Sequence, residues 1–243
     1  NISLLVPYPS LEQAIRTVPL IIKSKAIPTA VEFLQKEAIE DAENYLGNKF
    51  PDKSADSYLL LRFDGNTKED IERDYDKVAK ICLEQGAIDV LIMDTDERSD
   101  TVWKTRGAFL EAIKASTTDM DEVDVVVPRS RVSEMMEFTH MLRKQHNIRI
   151  KSFGHAGDGN LHAYVLKDSI PDNEWKTRMK ETMNEMYKKA HELGGQVSGE
   201  HGIGFIKKEY LHKSLDPAII KLMQGIKHVF DPKNILNPQK VIK

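Results

Sequence analysis

Gly154-His155-Ala156-Gly157-Asp158-Gly159-Asn160-Leu161-His162 places a histidine on each side of a glycine-rich turn, with residues of strand character before and after it. Asp158-Gly159 is among the strongest two-residue hairpin signals, because a type I′ turn needs positive φ at both central positions. With that turn, residue 157 pairs with 160, and counting outward sets His155 directly opposite His162. Opposed side chains lie on one sheet face with β-carbons roughly 4.5–5.5 Å apart. Two imidazoles so placed reach a single ion at roughly 2.0–2.1 Å from each nitrogen. The glycines around the turn also permit a close approach of ligand to backbone.

Outward from this hairpin, strand-like and helix-like segments alternate. Strands are predicted at residues 2–7, 29–34, 58–63, 88–93 and 124–127, and the hairpin region spans 148–166. Amphipathic helices are predicted at 11–23, 36–46, 100–114, 131–145, 173–193 and 217–230. A further helix opens at Thr67-Lys68-Glu69-Asp70, and another starts near Lys207. Alternation by itself favours a parallel sheet. The strands here are short and carry polar residues, and the hairpin is antiparallel, which favours an α+β sandwich. The strand-helix-strand pattern on either side of Asp64 predicts two ferredoxin-like halves, a duplicated sandwich with an antiparallel sheet and helices on one face. No linker divides the chain, so residues 1–243 are expected to form one domain.

The chain has 243 residues, a formal net charge of -3 and 30% charged residues, so no basic field points to nucleic acid and no acidic tail to a solvating segment. The single cysteine, Cys82, has no intramolecular disulfide partner, and no apolar run reaches the length of a membrane span. A cytoplasmic location is the default expectation, with attachment at the membrane periphery only through a partner. The sequence begins without methionine in the apolar run Ile2-Ser3-Leu4-Leu5-Val6, which reads as a strand entered mid-protein and predicts that more chain lies upstream.

A second cluster, Ser198-Gly199-Glu200-His201-Gly202-Ile203-Gly204, offers a carboxylate and another imidazole. Two histidines and one carboxylate with open positions suit a catalytic centre, since structural zinc sites are closed by four protein ligands. If the segment is extended, neighbouring side chains point to opposite faces, so Glu200 is assigned to the metal and His201 to acid/base work. On spacing alone the two histidines equally fit a hairpin with no ion, and Gly202-x-Gly204 equally fits a turn before a helix. Phosphate binding at Gly157-x-Gly159 lacks the helix N-terminus such loops use.

With these residues placed, the chain resembles the C-terminal domain of FAD-linked oxidases, the group that contains glycolate oxidase FAD subunits, D-lactate dehydrogenases and D-2-hydroxyglutarate dehydrogenases. The resemblance rests on residues 155–162, residues 198–204 and the ending Phe230-Asp231-Pro232-Lys233-Asn234-Ile235-Leu236-Asn237-Pro238. It implies a divalent ion, zinc or iron, on His155, His162 and Glu200, with His201 as general base. It implies that Arg106 grips a substrate carboxylate, and that Asn160, Asn237 and Lys240 contact the cofactor. The implied reaction is oxidation of a small 2-hydroxy acid, with hydride transfer to FAD bound mainly by an upstream domain that this chain lacks. An electron-transfer flavoprotein, an iron–sulfur subunit or a quinone would take the electrons. Leu110 and Glu122 stand where hydroxyglutarate dehydrogenases place a threonine and a lysine that hold a dicarboxylate, so a monocarboxylate such as lactate or glycolate is expected. Two other classes stay in view: a stand-alone metal-dependent hydrolase, and a non-catalytic ferredoxin-like binding module.

Overall fold

The computed structural model describes residues 1–26 and 28–242. The elements run β1 (Ile2–Tyr8), α1 (Leu11–Lys23), β2 (Ala30–Gln35), α2 (Lys36–Leu46), β3 (Ser57–Phe63), α3 (Lys68–Glu84), β4 (Leu91–Met93), α4 (Asp96–Gly107), α5 (Phe109–Ala115) and β5 (Met120–Val126). A 3-10 turn (Arg129–Arg131) leads into α6 (Val132–Gln145), then β6 (Arg149–His155), β7 (Asn160–Leu166), α7 (Asp172–Glu192), α8 (Lys208–Ser214) and α9 (Pro217–Phe230). Local chemistry sets many of these ends. Ser10 and Thr67 accept from the backbone N–H of the third residue on, in the N-cap manner, and Gly47 closes α2 in the left-handed conformation. The helix expected over residues 100–114 begins earlier, capped by Thr95, and is interrupted at Ala108, so that it forms α4 and α5.

The strands make one seven-stranded sheet in the order β4-β1-β3-β2-β6-β7-β5, with every pairing antiparallel. The first four strands are ordered β4-β1-β3-β2, with α1 and α3 packed together. The remaining three are ordered β6-β7-β5, and Gln196 bridges Val126 on the outer edge of β5. The α+β class with an antiparallel sheet holds.

Helices cover both faces, where the sequence predicted one. On one face Leu4, Val6, Leu59, Leu61, Val123, Val125, Ile150 and Val165 pack with α1, α3, α6 and α7. On the other, Leu5, Leu34, Tyr58, Leu60 and Phe153 pack with α2, α4 and α5. The reason lies in β1 and β3, whose consecutive leucines are apolar on both sides of the pleat and must be buried on both. At the β7–β5 end the second face changes character: Glu122, Asp124, His162 and Tyr164 replace leucines, and the candidate site is built there. Among the described residues, no helix is long and apolar enough to cross a membrane.

Candidate metal and substrate site

The hairpin forms, but with a different register from the one its turn signal suggests. His155 pairs with Asn160, Gly154 with Leu161 and Phe153 with His162. Residues 156–159 make a four-residue loop, in which Gly159 alone has positive φ, and the N–H groups of Asp158 and Gly159 both bond to His155 O. Contacts beyond the hairpin select this loop: Gly157 N–H donates to Val31 O at 3.2 Å and Val127 N–H to Gly159 O at 3.0 Å. The shift amounts to two residues, so side-chain parity is kept and both histidines remain on one face. They are diagonal rather than opposed, with ring centroids 5.7 Å apart.

Each imidazole has a carboxylate on Nδ1. Glu32, opposite His155 across the β2–β6 pairing, places Oε1 2.6 Å from His155 Nδ1. Glu122 on β5 places Oε1 3.1 Å from His162 Nδ1 and accepts from Tyr164 Oη at 2.8 Å. The Nε2 atoms face Glu200, whose Oε1 lies 3.6 Å from His155 and 3.2 Å from His162. The ligand atoms of His155, His162 and Glu200 all fall within 4.8 Å of one another, and so do those of Glu122, His162 and His201.

Glu200 and His201 share one side of the chain, contrary to the extended-strand expectation. His201 stacks on His162 with centroids 5.0 Å apart, and its Nε2 is 3.9 Å from Glu200 Oε1 while its Nδ1 is 3.5 Å from Glu122 Oε1. The segment is bent because it wraps a buried carboxylate. Asp124, directly opposite His162 on β5, accepts from Ser198 Oγ at 2.9 Å, Gly199 N–H at 3.2 Å, His201 N–H at 3.0 Å and Lys207 Nζ at 3.0 Å. Burial alone would raise the Asp124 carboxyl, but the hydrogen bonds from His201, Lys207 and Ser198 outweigh it and hold it down to about 2. Burial likewise acts against ionised Glu32 and Glu122, and their imidazole partners, with Arg106 for Glu32 and Tyr164 for Glu122, bring both below the usual carboxylate range. His155 is raised, first by its hydrogen bond to Glu32, with burial opposing.

Arg106 reaches the site through Glu32, donating from Nε at 3.0 Å and NH2 at 2.7 Å to Oε2, with its guanidinium 4.5 Å above the Phe153 ring. Leu110, on α5, is partly buried and packs against the core on that face of the sheet. Asn160 lies beneath Gly199, with its buried Oδ1 unpaired among the described residues. Asn237 and Lys240 sit apart, on a C-terminal segment docked through Val241 N–H to Gly204 O at 2.7 Å. Glu32 and Asp124 were missed in the sequence. Glu32 is the one acidic residue of the apolar strand β2, and Asp124 stands between buried valines on β5, which also carries Asp121 and Glu122; a charge set among apolar strand residues was the available signal.

Residues 1–241 match the family model described as FAD linked oxidases, C-terminal domain. The chain is 44% identical to a D-lactate dehydrogenase of Anaerostipes hadrus, over 99% of this chain and 52% of that protein. It is 36% identical to the glycolate oxidase subunit GlcD of Bacillus subtilis (strain 168), over 98% of this chain and 50% of the relative. It thus spans about half the length of these curated relatives. A solved structure of p-cresol methylhydroxylase with substrate bound superposes with a TM-score of 0.75 at 15% identity, covering 100% of this chain and 53% of that one, which is a likeness of fold.

Proposed function

The chain belongs to the C-terminal domain family of FAD-linked oxidases, and from that premise we propose that it forms the substrate- and metal-binding half of an FAD-dependent 2-hydroxy-acid dehydrogenase. The observation that carries the reading is the convergence of His155 Nε2, His162 Nε2 and Glu200 Oε1, with a carboxylate behind each imidazole. Metal-ligating histidines are characteristically held this way on the second nitrogen, which fixes the tautomer and orients the ring. The donor set fits zinc or ferrous iron and leaves coordination positions for substrate. When bound, such an ion acts as a Lewis acid on the substrate hydroxyl and lowers its pKa.

His201, half-exposed and stacked on His162, takes the hydroxyl proton at Nε2, while Glu122 steadies Nδ1. Arg106 offers a cationic edge to the substrate carboxylate. Glu122, fixed by His162 and Tyr164, leaves a negative charge where a second carboxylate would have to sit, which favours a monocarboxylate of the lactate or glycolate class. FAD, held mainly by a flavin-binding half, would supply the hydride acceptor for the substrate α-carbon that these residues orient. Asn160, whose buried Oδ1 has no hydrogen-bond partner among the described residues, is a cofactor contact in this reading, with Asn237 and Lys240.

Metal analysis of the purified chain tests the assignment. A single divalent ion per chain is expected, lost in His162→Ala. A metal-free chain, or a variant that keeps its ion, overturns the site.

A further inference from the structure

Resting on that metal assignment, we propose that Glu32 is a positioning residue that ties the carboxylate-gripping Arg106 to the metal ligand His155, so that ion and substrate carboxylate sense each other through one side chain. Glu32 is 5% exposed and lies in β2 directly across from His155. Its two oxygens serve different elements: Oε1 faces His155 Nδ1 on β6 at 2.6 Å, and Oε2 accepts from Arg106 Nε and NH2 on α4 at 3.0 and 2.7 Å.

Both contacts need an acceptor, and they need one on each oxygen. Glutamine has a single acceptor oxygen, so it satisfies one partner and turns its NH2 against the other. Aspartate keeps the charge but is a methylene shorter and cannot span β6 and α4 together. Ionised Glu32 also requires the guanidinium, because a buried carboxylate without a cation is strongly disfavoured.

The consequences run in both directions. Accepting from Nδ1–H leaves the His155 Nε2 lone pair toward Glu200 and His162. Holding the Nε–NH2 edge of Arg106, while Phe153 supports the guanidinium face, leaves NH1 without a protein acceptor among the described residues. NH1 is then the part of Arg106 presented to a substrate carboxylate. A carboxylate drawn to Arg106 and an ion drawn to His155 act on the same buried anion, and such coupling is reciprocal.

Zinc titration of the 243-residue chain by calorimetry, with and without D-lactate, reads this out. In the wild type, D-lactate should tighten zinc binding. Glu32→Gln and Glu32→Asp should each weaken zinc by roughly 10–100-fold, and D-lactate should no longer alter it. Their Co2+-loaded forms should show a shifted visible absorption band, which a merely structural role would leave unchanged. Should Glu32→Gln fail to fold, Glu32→Asp, which keeps the charge beside Arg106, carries the test. Wild-type zinc affinity in Glu32→Asp, or an undiminished D-lactate effect in it, overturns the proposal while leaving the metal site standing. A wild-type chain that takes up no zinc removes the metal assignment itself, and this inference with it.

Discussion

Asp124 is fully buried on β5, and the loop that carries Glu200 and His201 is built around its carboxylate. Removing it strands the Lys207 ammonium, whose side chain is 12% exposed, and leaves the N–H groups of Gly199 and His201 without their acceptor. Asp124→Ala is therefore expected to cost about 3–5 kcal/mol, the usual penalty for breaking a buried ion pair from one side. It should also lower metal content by releasing Glu200. Urea denaturation and metal analysis check the two effects, and a variant that keeps both stability and metal refutes the role. Asp124→Asn retains one acceptor oxygen and should fall between the two. Of this, the sequence showed only a charge inside a strand and none of its partners. The hairpin histidines and the Glu-His pair were visible because they sit among glycines that mark turns, whereas Asp124 acts through contacts 74 to 83 positions away along the chain and Glu32 through contacts 74 and 123 positions away. Only the tertiary fold creates those contacts.

At the scale of elements, the hairpin's existence was legible but its register was not. Asp158-Gly159 carries the local preference for a two-residue turn, yet the observed loop satisfies Val31 O on β2 and Val127 N–H just past the end of β5. Tertiary hydrogen bonds override the local signal, and the histidines still converge because the shift preserves parity. Gly159 is the position where this loop is least tolerant. Its φ is +79°, and an added Cβ would lie 2.1 Å from Val127 O. Gly159→Ala should destabilise the chain by roughly 1–3 kcal/mol through strained backbone, with more from the clash. Gly107, at the end of α4, has ordinary φ and open space at its Cβ position, so Gly107→Ala should be neutral or slightly stabilising. Thermal melts of the two variants side by side test the loop, since equal melting points would mean that the hairpin is not held on β5 as described. The α4–α5 break at Ala108 was illegible for a related reason. Gly107 stands just before it, but a lone glycine inside a helical pattern does not fix a break, and both helices bury apolar residues against the same second core cluster.

At the scale of the molecule, the apolar surface is distributed unevenly. The sheet is buried on both faces, yet α9 buries none of its residues. Leu222 is 67% exposed, Val229 76% and Phe230 81%, and Phe205 and Ile206, which follow closely after His201, are also exposed. Lys208 Nζ bonds to Gln239 O, and Val241 N–H bonds to Gly204 O, so the C-terminal segment is tied to the stretch that leads out of the site. Exposed apolar surface on this scale marks an interaction face. We propose an FAD-binding half, the partner that the family description implies, as its occupant. Leu222→Glu combined with Val229→Glu removes the attraction without touching a buried residue, so the chain's own unfolding free energy should stay within about 0.5 kcal/mol. Co-expression with the flavin-binding half of an FAD-linked oxidase relative, followed by affinity capture, should recover a complex with the wild-type chain and none with the double variant. Capture by both would place the contact elsewhere, and self-association of the wild-type chain, abolished by the same two substitutions, would instead assign α9 to a second copy.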